Sequence, residues 1–452
     1  MSAKTNISMI SGNPAKALVL FTLPMVVGNL FQQFYNLIDS IIVGNQVGEQ
    51  ALAAVGASTS ITMLFVMVAI GAGIGCSVVV SQLFGARQLE KMKTAIATTL
   101  LAILVFSILL SIFGMVVNKA LLRLMGTPED IFADASTYLQ IYFYGFAFLF
   151  LYNGITAIFN ALGDSMKPLI FLIISSLLNI ALDLYFVIVL HMGVAGVAWA
   201  TLIAQGVSAI TSFVFLIYKL RNIKTQPYAK FDAGILKSMI TVAIPTIIQQ
   251  SIVSVGMLLV QAVVNRFGST FLAGYTAAIK IDSIALVPMV AVGNGISTYV
   301  AQNMGAKKTE RIGQGYRVAL AMAAGIGVFI AVVIHVSGTG LVGLFLNSET
   351  SKEAIAIGTQ YLGTVSIFYF VMGSMNVSNG VLRGAADMRW FLTASMLNLG
   401  TRVGLTYALA DQTGGMIIIW AIPLGWLVGL TIAGFRYRQG GWKRKEIASL
   451  WN

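Results

Sequence analysis

The chain has 452 residues, of which only 10% are charged and 58% are apolar, with a mean hydropathy of +0.86 and a net charge of +12. A soluble chain carries about a quarter of its residues as charges, so most of this surface must be solvated by lipid or by neighbouring helices. Cys76 is the only cysteine, which excludes an intrachain disulfide and a metal site built from several cysteines.

Apolar stretches recur along the whole chain, each near the roughly 20 residues that cross a hydrocarbon core. The first, 16–43, contains Pro24 and a polar line of Asn29, Gln32, Tyr35, Asn36 and Asp39, spaced by three or four residues. Such a line suits helix–helix hydrogen bonding or the wall of a water-filled cavity. Pro24 removes one backbone hydrogen bond and allows a bend. No cleavable signal is expected, because this run is too long and no small-residue cleavage site follows it. Spans 51–84 and 94–117 follow, then 131–160 with Tyr138 near its outer end. Span 168–190 carries Asn179 and Asp183 one turn apart, and 194–219 carries Thr201. The longest polar connection, from Lys219 to Asp232 with Pro227, is the natural linker.

After the linker come spans 235–264, with Pro245, Gln249, Gln250 and Gln261, and 271–303, with Lys280 and Asp282. Then follow 313–336, 353–382 with Asn376 and Asn379, 389–410 with Arg402, and 415–437. None of the runs alternates as a β-barrel strand does. An all-α polytopic membrane protein of twelve spans is predicted, with several spans long enough to tilt or kink.

The order of motifs repeats at an offset near 221. KALVLFTLPMVVGNLFQQ from Lys16 matches KSMITVAIPTIIQQ from Lys237, which places Pro24 opposite Pro245. AIGAGIG before SQLFGAR matches AVGNGIS before AQNMGAK, and ALGDSMK near Gly163 echoes VLRGAADMR near Gly384. Two parallel six-helix repeats are predicted, 1–222 and 223–452, related by an axis along the membrane normal. The 45 glycines suit close helix packing in lipid.

Placed on this map, Lys119, Arg123, Arg266 and Lys352 fall outside, and Lys280 and Arg402 fall within helices. The other twenty-two of the 28 basic residues fall on the cytoplasmic side. This is the positive-inside pattern, and it places both termini in the cytoplasm of a multi-pass inner-membrane protein. Membrane lipid accounts for the basic excess, and no nucleic-acid partner is implied.

Three acids remain inside spans: Asp39, Asp183 and Asp282. An ionisable group at mid-membrane costs roughly 2.5–3.5 kcal/mol on insertion scales, which makes each a functional candidate. Counted from their helix ends at ~1.5 Å per residue, Asp39, Asp183 and Thr201 sit on the order of 10 Å below the outer surface. Asn179 lies one turn below Asp183 on the same face. Two carboxylates, an amide and a hydroxyl at one level can hold a proton or a small hard cation such as Na+. A cationic cargo competing for the same charge gives a physical basis for antiport. Asp282 pairing with Arg402 would cancel two charges and leave Lys280 to another partner or to water, in a mainly structural or gating role, with substrate contact as the alternative.

These motifs, duplicated and in order, resemble the MATE (multidrug and toxic compound extrusion) family. The resemblance rests on the LP of the first span, DSIIVG from Asp39, ALAAVGAS, SQLFGAR with AQNMGAK, and GVAGVAWAT ending at Thr201. It implies two lobes facing a central cavity and export of organic cations and other amphipathic drugs against H+ or Na+. The chain is more similar to the DinF-like branch. That likeness implies a coupling site on an Asp of the first helix, an Asn and an Asp of the fifth and a Thr of the sixth, which match Asp39, Asn179, Asp183 and Thr201. Pro24 matches the proline at which that branch bends. The acids that the NorM-like branch carries on helices 7 and 10 are absent here.

A flippase for lipid-linked saccharide or another large amphipathic metabolite is the alternative. It would need more inward basic residues than Lys280 and Arg402. The chain has no HExxH and no GxxxxGK[ST] loop. An ion gradient is therefore the expected energy source, without an enzymatic role or a further cofactor. The expected partners are small amphipathic molecules and lipids, and the expected state is a monomer.

Overall fold

The structure, a computed structural model, describes residues 9–346 and 351–444. Lys4 and Lys445, both counted above as cytoplasmic, lie outside the described residues. The chain forms α1 (Pro14–Ile42), α2 (Glu49–Gly85), α3 (Leu89–Leu124), α4 (Glu129–Tyr144), α5 (Phe146–Ala161), α6 (Met166–Leu184) and α7 (Gly193–Arg221). The same plan then recurs as α8 (Ala233–Val264), α9 (Gly268–Gly305), α10 (Thr309–Gly343), α11 (Lys352–Ser366), α12 (Tyr369–Gly384), α13 (Met388–Thr413) and α14 (Met416–Gln439).

Two of the expected single spans are bent pairs. α4 and α5 meet at 52°, and α11 and α12 meet at 51°. By length and apolarity alone eight helical segments qualify as membrane spans, or ten if each bent pair counts as one. The segment Ala233–Gly305 is itself two helices, and α13, which carries Arg389, Arg402 and Asp411, is not among those that qualify. The total is twelve spans in two six-helix bundles. Apolar side chains such as Val105, Leu109, Val116, Phe329 and Val336 stand exposed on α3 and α10, a surface that only lipid would solvate.

Both repeat-opening helices start with a side-chain cap. Asn13 Oδ1 accepts from the Ala15 amide at 2.8 Å with Pro14 at the first helical position, and Asp232 Oδ1 accepts from the Ile235 amide at 2.8 Å. Each such oxygen satisfies one of the free N–H groups of a helix start. Each of these helices also carries an internal proline, Pro24 or Pro245.

One compact unit comprises Val27–Ile248; the other comprises the described residues up to Val26 and those from Gln249 onward. The division therefore falls just past each proline and differs from the 222/223 boundary suggested by the polar linker. The linker is held within the first unit. Lys93 Nζ donates to the Ile223 carbonyl at 2.6 Å, Glu90 accepts from the Gln226 amide at 3.3 Å, and Thr98 Oγ1 accepts from the Asp232 amide at 3.1 Å. In the second unit Asn303 Nδ2 donates to Met9 O at 3.0 Å, and Arg311 Nη1 donates to Gly12 O at 3.0 Å.

Glycine makes both insertions fit. A Cβ on Gly75 would run into the backbone of Ala243, and one on Gly295 would run into Thr22. These are equivalent contacts, one in each unit.

Candidate functional site

The first unit's site is built where α1, α6, α7 and α4 meet around an apolar cluster that includes Val43, Val55, Tyr138, Val187 and Val197. α1 and α6 both end in a π-helical turn, Val43–Val47 and Tyr185–Val189, just beyond Asp39 and Asp183. Such turns shift the register of the side chains that follow and recur at functional sites.

Asp183 is fully buried, Asn179 and Thr201 are buried, and Asp39 is half-buried. The carboxyl groups of Asp39 and Asp183 come within hydrogen-bonding reach of each other. The Asn179 amide satisfies all its neighbours when its nitrogen donates to Asp183 Oδ2 at 2.9 Å and to Tyr35 Oη at 3.0 Å while its oxygen accepts from the Thr201 amide at 3.1 Å. Tyr35 also hydrogen-bonds with Thr201. Oδ1 of Asp39 and Oδ1 of Asp183 lie buried without a hydrogen-bond partner. Buried polar atoms are nearly always paired, so these two orphaned carboxylate oxygens stand out as unused acceptors.

Tyr138 is buried within electrostatic reach of both carboxylates, and its ring stacks on Tyr142 with centroids 6.2 Å apart. Tyr142, which hydrogen-bonds with Gln205, escaped the sequence reading. Its position one turn beyond Tyr138 on the same face was the available signal. Of the rest of the α1 polar line, Gln32 and Asn36 are exposed, and Pro24 is buried.

The second unit differs from expectation. Among the described residues Asp282 makes no direct ion pair with Arg402, although the guanidinium lies within electrostatic reach of the carboxylate. Its Oδ1 accepts from Tyr369 Oη at 2.6 Å, and its Oδ2 accepts from Tyr361 Oη at 3.4 Å. Arg402 hydrogen-bonds with Tyr275, and its Nε is buried without a partner. The phenols reach the acid because α11 and α12 bring Tyr361 and Tyr369 onto α9 from either side of their bend. Lys280 is turned elsewhere, with Nζ 5.6 Å from the centre of the Phe345 ring beyond α10. Asp282 and Arg402 thus share a cluster with Tyr275 and Tyr361, and Lys280 lies apart from it.

Equivalent ion pairs tie down α7 and α14. Lys219 Nζ donates to Asp164 at 2.8 Å, and Arg436 Nε donates to Asp387 at 2.6 Å.

The MatE family's sequence model matches residues 24–185 and again residues 245–408, one match in each repeat. The chain belongs to the MATE family. It is 32% identical over 438 residues to the probable multidrug resistance protein YpnP of Bacillus subtilis (strain 168), covering 96% of this chain and 97% of that one. It is 22% identical to the multidrug export protein MepA of Staphylococcus haemolyticus, over 93% of this chain and 91% of that one. A crystal structure of MATE in complex with MaL6 superposes with a TM-score of 0.90 at 24% identity, covering 98% of this chain and all of that one. MATE proteins are membrane transporters, and these two relatives are named for multidrug resistance and multidrug export.

Proposed function

We propose that the protein exports amphipathic, mainly cationic organic compounds across the cytoplasmic membrane in exchange for H+ or Na+, with Asp39, Asn179, Asp183 and Thr201 as the ion-coupling site. The observation that carries this reading is the meeting of two carboxyl groups, each with a buried unpartnered oxygen, beside an amide and two hydroxyls. A cation entering between the carboxylates removes their mutual repulsion, and a cationic cargo competes for the same charge. Occupancy by one therefore opposes occupancy by the other, which is the requirement for exchange.

The decisive experiment uses purified full-length protein in proteoliposomes loaded with a fluorescent organic cation, with either a pH gradient or a Na+ gradient imposed. Efflux that follows one of the two gradients identifies the ion. Efflux indifferent to both would overturn the exchange mechanism. Scrambling of a saccharide-linked lipid in the same vesicles would favour a flippase instead.

A further inference from the structure

The second unit holds a cation that the coupling site does not use. Arg383, in the last turn of α12, is 9% exposed, and no carboxylate lies within ion-pairing distance of it among the described residues. Its Nε donates to Ser297 Oγ at 3.2 Å and its Nη2 donates to Asn294 Oδ1 at 2.8 Å, both on α9. The Phe391 ring of α13 lies 5.9 Å from the guanidinium carbon. Among the described residues Nη1 makes no hydrogen bond.

The side chain is tied to α9 by both of its hydrogen bonds. Gly380 packs on Gly293 and Gly384 packs on Ser297, so α9 and α12 run in the same direction with matched levels. Asn294 then lies level with residue 381, nearer the membrane centre than Arg383 itself. The guanidinium thus bridges Ser297, level with Gly384, and Asn294, about one turn deeper, and is held along α9 rather than left to snorkel out.

One turn further in, on the same face of α12, Asn379 carries a buried Oδ1 with no partner. α5 and α12 are both sixteen residues long and occupy equivalent places in the repeat, so Asn160 of α5 stands where Arg383 stands in α12. The basic group is a feature of the second unit alone.

A buried charge without a counter-charge is costlier than the same charge facing an anion. A guanidinium with two nitrogens fixed and one edge free is oriented to receive a carboxylate or phosphate oxygen. We infer that Arg383, positioned by Asn294 and Ser297, binds an anionic oxygen group. That group is the acidic substituent of a zwitterionic cargo or the phosphate of an inner-leaflet lipid. The inference rests on the transporter reading for the first source and is independent of it for the second.

The test compares wild type, R383Q and R383K as full-length protein. Efflux of rhodamine 123, an ester monocation, is measured against rhodamine 110, its free acid, in phosphatidylcholine vesicles. The expected result is that R383Q moves rhodamine 123 within about twofold of wild type and loses rhodamine 110 at least about tenfold, while R383K, which keeps the charge without the fork, retains part of it. A lipid source reads differently. Phosphatidylglycerol would raise the melting temperature of the detergent-purified wild type but not of R383Q, and both dyes would move alike.

Equal loss of both dyes in R383Q with R383K restoring neither, or no difference in either dye or in the lipid-dependent melting shift, would overturn the assignment. Should R383Q fail to fold, the comparison of R383K with wild type decides by the same readouts. Should wild type move neither dye, the proposed export function is what fails, and the phosphatidylglycerol arm still tests the site.

Discussion

Replacing Asp39 with Asn changes one oxygen for an NH2 of nearly the same volume and removes one of two neighbouring charges. Two unit charges about 4 Å apart interact by about 4 kcal/mol at an effective dielectric near 20. In the wild type a bound cation relieves repulsion of that order, and in D39N this contribution is absent. Cation affinity should therefore fall by roughly a thousandfold. The same arithmetic has the opposite sign for stability. Removing the repulsion leaves Asp183 with its Asn179 donor intact, so D39N should melt at or above the wild-type temperature in detergent. The assay pairs gradient-driven efflux in proteoliposomes with thermal melting of the same preparation. Efflux at the level of empty vesicles, together with undiminished melting, is the expected result. Wild-type efflux would refute the coupling site, and a large drop in melting would show that Asp39 is a structural residue.

Three further outcomes follow from the geometry. Y369F removes the 2.6 Å donor to buried Asp282 and Y361F removes the 3.4 Å one; a bond to a charged group is worth about 1.5–3 kcal/mol, so Y369F should lower the melting temperature clearly more than Y361F. The Arg436–Asp387 pair is the more deeply buried of the two equivalent ion pairs, with Asp387 only 2% exposed. R436M should cost about 3–5 kcal/mol, and K219M, whose pair is more open, about 1.5–3 kcal/mol, both read as shifts in melting. Two carboxylates hold at most two protons, so if H+ is the ion, a gradient of one pH unit at zero membrane potential should concentrate a cargo of fixed charge no more than about a hundredfold; a higher steady-state ratio would require a third site.

The repeat, the span positions and the quartet Asp39, Asn179, Asp183 and Thr201 were legible because each leaves a trace in spacing. Charges are rare enough in this chain that depth along a helix predicts which of them meet. The bends were not legible. The break between α4 and α5 falls at Gly145, but that between α11 and α12 falls at Ile367 and Phe368, without glycine or proline. In lipid both faces of a helix are apolar, so hydropathy carries no mark of a change in direction. The π-helical turns are silent for the same reason. The expected Asp282–Arg402 pair failed because charge complementarity takes no account of phenols. Tyr361 occupies the place in α11 that Tyr138 holds in α4, and the repeat could have supplied that clue. The swapped first halves of α1 and α8 were hidden as well. Pro24 and Pro245 announced bends, but only the close contacts at Gly75 and Gly295 reveal which unit each segment joins.

Duplication explains the scaffold, and divergence within it explains the chemistry. Where α1 carries Asp39, the equivalent turn of α8 carries Val260, which is fully buried in the apolar core of the second unit. Where α5 carries Phe146 and Asn160, α12 carries Tyr369 and Arg383. The first unit thus keeps uncompensated acids and no basic group among its buried site residues, whereas the second satisfies Asp282 with phenols and Asp387 with Arg436 and leaves a guanidinium edge of Arg383 free. An exchanger whose halves were chemically identical would bind the same ion twice and would have no separate means of recognising a cargo that carries both charges. On the proposed roles, a cation held by one bundle and an anionic group held by the other would let a single fold, used twice, read two features of its ligands independently.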